Sequence, residues 1–114
     1  MASSPFHVVA TDDFEATFML GRDDEPDSVE NVDVEVTFSD GTRWGATFLT
    51  VREIERIMDR WRMSGEGQNG TVFRCPDLVI VRDGGVRAIT AVLESAVSQD
   101  GRSDLLTYLG PPEV

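Results

Sequence analysis

Val32-Asp33-Val34-Glu35-Val36-Thr37-Phe38-Ser39-Asp40-Gly41-Thr42-Arg43-Trp44-Gly45-Ala46-Thr47-Phe48-Leu49 reads as one β-hairpin. Val32, Val34, Val36 and Phe38 alternate with Asp33, Glu35, Thr37 and Ser39, a period of two that puts the apolar set on one face. The second arm, Thr42–Leu49, places Trp44, Ala46 and Phe48 on a shared face. Both apolar sets carry even numbers, so opposed residues must sum to an even number, which demands an odd loop length. The three-residue loop Ser39-Asp40-Gly41, with Gly41 in the left-handed region, meets that condition. It predicts Val36 near Trp44 and Val34 near Ala46. A two-residue Asp-Gly loop would instead set Trp44 and Phe48 against Asp33 and Thr37.

Downstream of the hairpin the period changes to that of a helix. Thr50 is a good N-cap and Glu53, three residues on, completes a capping box. Val51, Ile54, Met58 and Trp61 form an apolar stripe, with Arg52, Arg56 and Arg60 on the other side and Gly65 and Gly67 at the end. Two short strands are expected next, Thr71–Arg74 and Leu78–Arg82. Leu78-Val79-Ile80-Val81 is apolar on both faces, which suits the centre of a sheet. Asp83 is the expected cap of a second helix with the stripe Val86, Ile89, Leu93, Ala96 and Val97, stopping near Gly101. The tail Asp104–Leu109 is apolar enough to dock, and Pro111 and Pro112 end regular structure.

Upstream, Phe6–Ala10 and Phe14–Leu20 read as two strands joined by Thr11-Asp12-Asp13, and Gly21–Glu30 is a polar loop. The order is therefore ββ-ββ-α-ββ-α. Hairpins followed by helices predict an α+β fold, an antiparallel sheet of five or six strands with two helices on one face. Residues 1–101 form the expected single domain, and 102–114 a C-terminal tail.

The charge is one-sided. The chain has 114 residues and a formal net charge of −11, and residues 1–40 hold eleven carboxylates against one Arg. Residues 41–114 hold ten against nine. Such a field attracts a basic partner over about 8–10 Å at ordinary salt and repels nucleic acid. All ten basic residues are Arg, so chemistry that needs a lysine amine is absent. Cys75 is the single cysteine, which rules out an intrachain disulfide and suits a reducing compartment. Met1-Ala2-Ser3-Ser4-Pro5 has no basic n-region and no run approaches a membrane span, so a cytoplasmic protein without membrane contact is expected.

The chemistry-bearing patterns each fail on a specific requirement. Counted from Asp23, a calcium loop would need Gly at its sixth position and Glu at its twelfth, where Ser28 and Val34 stand. His7 and Cys75 are each the only residue of their kind, so a zinc site would have to be completed by carboxylates. Cys75 could act as a nucleophile beside His7, but Pro76 follows it and no helix N-terminus is near to stabilise a thiolate. Asp83-Gly84-Gly85 before a helix can bind an anion through backbone N–H groups, without the fuller dinucleotide pattern. Arg52, Arg56 and Arg60 are either a solvated face paired through Arg52–Glu55 and Arg56–Asp59 or a surface for acid.

Ala46-Thr47-Phe48-Leu49-Thr50, Ile54 and Met58, Gly65-Glu66, Gly70, Phe73 and Asp77-Leu78-Val79-Ile80-Val81 resemble a recurring family of small, uncharacterised bacterial α+β proteins. The resemblance covers about residues 32–97. Some proteins of that kind look like immunity proteins that inhibit partner toxins; no site residue carries over.

These readings favour a non-catalytic acidic binding protein, immunity- or antitoxin-like, that inhibits a basic protein partner such as a toxin. The expected partner-binding residues are Asp23, Asp24, Glu25, Asp27, Glu30, Asp33 and Glu35, with no catalytic residue, cofactor or metal. The alternatives are a structural protein that forms a homodimer through a sheet edge or its tail, and a small enzyme or ligand-binding domain with a cleft between helix and sheet.

Overall fold

The computed structural model describes residues 6–111. Residues 1–5, read above for a signal sequence, and Pro112, read as a breaker, lie outside the described residues. Strands β3 (Asn31–Phe38) and β4 (Arg43–Thr50) pair antiparallel, with Val36 opposite Trp44 and Val34 opposite Ala46. Gly41 has φ +85°, and the Phe38 N–H donates to the Thr42 carbonyl at 3.0 Å. The three-residue loop required by parity is the one that forms.

Strands β1 (Phe6–Ala10) and β2 (Phe14–Met19) extend the sheet from β3 in the order β1-β2-β3-β4. Strand β5 (Leu78–Val81) runs parallel to Thr47–Thr50 of β4, while β6 (Thr107–Gly110) runs antiparallel to Arg43–Gly45. Both therefore lie along one flank of β4, end to end. Asp77 holds the junction: its carbonyl accepts from the Thr47 N–H at 2.9 Å and its carboxylate from the Thr107 hydroxyl at 2.8 Å. The fold is α+β, and among the described residues the antiparallel sheet has six strands with one parallel pair.

Even-numbered residues of the central strands build the core. Phe14, Ala16, Phe18, Val32, Val34, Val36, Phe38, Ala46 and Phe48 are buried, and Val86, Ile89 and Leu93 of α3 (Val86–Glu94) pack with them. Leu106, at the end of α4 (Gln99–Leu105), joins the same cluster. Helix α1 (Val51–Ser64) starts and stops where expected. Thr50 Oγ1 accepts from the Glu53 N–H at 3.0 Å, and Gly65, in the left-handed region, donates to the Trp61 carbonyl. Leu49 of β4 and Ile57 of α1 are buried outside the main cluster.

Several local expectations are corrected. Thr71–Arg74 is not a strand. The short helical segment α2 (Glu66–Gly70) turns the chain with left-handed backbone at Gly67, Gln68 and Asn69, and Phe73 then stacks on Trp61 at 5.5 Å instead of entering the sheet. Without that strand β5 is an edge among the described residues, and Ile80, expected at the sheet centre, is 54% exposed. Gly101 lies inside α4, because Ser98 Oγ accepts from the Gly101 N–H at 3.1 Å and starts a new helix there. Gly85, not Asp83, occupies the N-cap position of α3.

Candidate functional site

The seven carboxylates expected to face a partner do not form one surface. Val29 is 4% exposed and anchors the end of the 21–30 loop in the core. Its carbonyl accepts from the Gly85 N–H at 2.7 Å, and the Pro26 carbonyl accepts from the Val86 N–H at 2.7 Å. The loop is thereby drawn to the N-terminus of α3. Gly85 has φ +94°, and a Cβ there would lie 2.5 Å from the Asp27 carbonyl oxygen. Those donors are also the ones an anion at Asp83-Gly84-Gly85 would need, so loop carbonyls satisfy the turn internally.

Asp33 and Glu35 are odd-numbered and face the opposite side of the sheet, away from α3. Register places Phe6, Met19, Asp33, Thr47 and Leu78 in one row across this open face. Val8, Thr17, Glu35, Gly45 and Thr107 form the next. Asp33 accepts from the Thr47 hydroxyl at 2.5 Å, and Glu35 pairs with Arg43 at 3.1 Å. Phe6, Val8 and Met19 are exposed beside them.

Glu30 is spoken for by the protein itself. Its Oε1 accepts from the Thr50 hydroxyl at 3.0 Å and from Arg52 at 2.7–2.8 Å, and its Oε2 accepts from Arg56 at 2.8 Å. The Arg56 hydrogen bond is the foremost cause that holds its carboxyl down at about 2, with Arg52 and Thr50 adding to it. Glu30 in turn raises Arg56. Arg52 and Arg56 of the stripe thus meet the chain's own acid, and Arg56 adds Glu53 at 3.6 Å; the expected pairs to Glu55 and Asp59 do not form among the described residues.

Asp23, Asp24, Glu25 and Asp27 remain exposed. No ion pair reaches them among the described residues; Asp24 only accepts from the Gly21 N–H, at 2.7 Å. The polar loop is a defined shape carrying four solvated carboxylates.

Between β1, this loop and α3 lies a cleft of about 410 Å³ lined by His7, Val9, Pro26, Asp27, Val86, Arg87, Thr90 and Glu94. Thr90 is 9% exposed and its hydroxyl has no hydrogen-bond partner among the described residues. Sequence reasoning offered a cleft between helix and sheet only as an alternative and could not place it, since nothing local links His7 to Glu94. Cys75 lines a different groove, on the open face beside Asp33, Glu35 and Asp77, so it does not meet His7. Among the described residues no three His, Cys, Asp or Glu side chains gather as metal ligands. No helix among them is long and apolar enough to cross a membrane. No protein-family model matches the chain, and no curated protein or solved structure matches it either.

Proposed function

We propose that this chain is an acidic, non-catalytic binding protein that docks and inhibits a basic protein partner, in the manner of an immunity protein. One observation carries the reading: Asp23, Asp24, Glu25 and Asp27 stand solvated, without an ion pair among the described residues, on a loop whose backbone is fixed to α3. Charges held this way attract a basic surface without first having to break internal ion pairs. Affinity needs apolar anchors as well, and Phe6, Val8 and Met19 are exposed on the open face of β1 and β2, across the sheet edge from α3. Glu30 and Glu35 play no direct part, since their charge is balanced by Arg52, Arg56 and Arg43.

The test is capture of the partner from the native host at low salt, its identification, and stopped-flow association of the purified pair. Neutralising the four loop carboxylates together (Asp23→Asn, Asp24→Asn, Glu25→Gln, Asp27→Asn) should slow association about tenfold or more at low salt. Association at the unaltered rate would overturn the docking surface.

A further inference from the structure

We infer that the basic partner engages this protein by strand addition, with an extended segment pairing along the outer edge of β1 at Val8 and Ala10 and placing a Lys or Arg side chain in the cleft between β1 and α3. The inference rests on the acidic docking reading above and specifies how it is carried out.

The edge itself is the first observation. Strand β1 ends the sheet among the described residues. The Thr11 N–H donates to the Phe14 carbonyl at 2.8 Å, and in an antiparallel pair alternate residues share that role. His7 and Val9 therefore bond toward β2, while Val8 and Ala10 direct their N–H and C=O groups away from the sheet. The segment Phe6-His7-Val8-Val9-Ala10 contains no carboxylate, Arg or Pro, the devices that normally blunt an exposed edge. The opposite edge is less open to a basic segment: it is split between β5 and β6, four residues each, and β5 runs into Arg82, which lines its flanking groove.

The cleft is the second. In strand addition the main chain supplies affinity, and pockets for alternate side chains supply selectivity. A strand laid beside β1 would direct every second side chain toward the side of His7 and Val9, over the 410 Å³ cleft. The ionisable groups lining it are Asp27, Glu94, Arg87 and His7, and Thr90 adds a hydroxyl with no partner among the described residues. Two carboxylates against one guanidinium favour a cationic side chain there. The other side chains would lie over the exposed Phe6 and Val8.

The charge around the strand selects a basic occupant over a second copy of this chain. Asp12 and Asp13 follow the end of β1, and Asp27 lies in the cleft beside His7 and Val9. Two-fold pairing of β1 with itself would bring one copy's Asp12 and Asp13 toward the other's acidic loop.

The probe is a seven-residue peptide alternating Arg and Val, compared with a Glu-for-Arg version and with one N-methylated along one edge. Amide exchange of the full chain is read by NMR and affinity by fluorescence anisotropy. Saturating basic peptide should slow exchange at Val8 and Ala10 at least tenfold, and the acidic and N-methylated peptides should bind at least tenfold more weakly. Val8→Pro removes an outward N–H without touching the β1–β2 ladder and should give the same loss; were it to unfold, the N-methylated peptide answers the same question on the unaltered chain. Equal binding of the N-methylated peptide, or unchanged exchange at Val8 and Ala10, overturns strand addition and leaves charge-driven docking standing. Failure of every peptide to bind also overturns it, while the captured physiological partner still tests the broader reading. A peptide-free dimer with Val8 and Ala10 already protected would overturn it in favour of a second copy.

Discussion

Glu30 receives hydrogen bonds from Thr50, Arg52 and Arg56, and its side chain is 16% exposed. Because the folded carboxyl titrates near 2 against an ordinary 4.5, its contribution is complete above about pH 4.5 and is lost as pH falls toward 2. Asp40 acts in the same direction: the Thr42 hydroxyl and N–H, then Arg102, hold it at about 2 against an ordinary 3.8. Acid unfolding of the wild type should therefore steepen between about pH 4.5 and 2. Glu30→Gln should flatten part of that window and reduce stability at pH 7 by about 1 kcal/mol; urea titrations across pH check both. Arg102 presents a different case, 7% exposed, with its guanidinium 3.9 Å over the Phe38 ring, 2.7 Å from Asp40 and bonded to the Val97 carbonyl. Arg102→Ala should lower stability by about 2 kcal/mol, because stacking and a buried donor set are lost together. Neither role was legible in sequence. Glu30 is 22 and 26 positions from its arginines, and Arg102 is 62 from Asp40.

At the scale of elements, local pattern was reliable where one face is buried. The β3–β4 register followed from parity alone, because a one-residue slip would turn Asp33 and Glu35 into the core. Thr50 and Glu53 announced α1 by the same kind of short-range chemistry. Pattern failed where an element's neighbours decide its fate. Thr71–Arg74 has strand-like composition, yet its Phe73 finds Trp61. The apolar run of β5 indicated burial on both faces, yet its outer flank has no further strand among the described residues. The contact between the loop and α3 belongs to this scale too. Gly85→Ala should destabilise by about 2 kcal/mol or more, since it combines a left-handed φ with a close approach to the Asp27 carbonyl. The same change should loosen the loop, read as faster amide exchange at Gly85 and Val86 by NMR.

Over the whole molecule, a net charge of −11 sets a background of self-repulsion. Raising salt from about 0.02 M to 0.5 M should lift Tm by roughly 3–5 °C as that repulsion is screened. Neutralising Asp23, Asp24, Glu25 and Asp27 should leave Tm within about 2 °C of wild type, because none of these side chains takes part in an ion pair among the described residues. Thermal melts of the two proteins across salt check this. The sequence by itself determined the α+β class, the strand alternation, the hairpin register and the crowding of acid into the first forty residues, because these depend on period, parity and composition along the chain. Only the tertiary structure decided which carboxylates remain free. Pairing of Glu30 with Arg52 and Arg56, the draw of Val29 that carries the loop to α3, and the separation of that loop from Asp33 and Glu35 all arise between residues that chain order keeps apart and packing brings together.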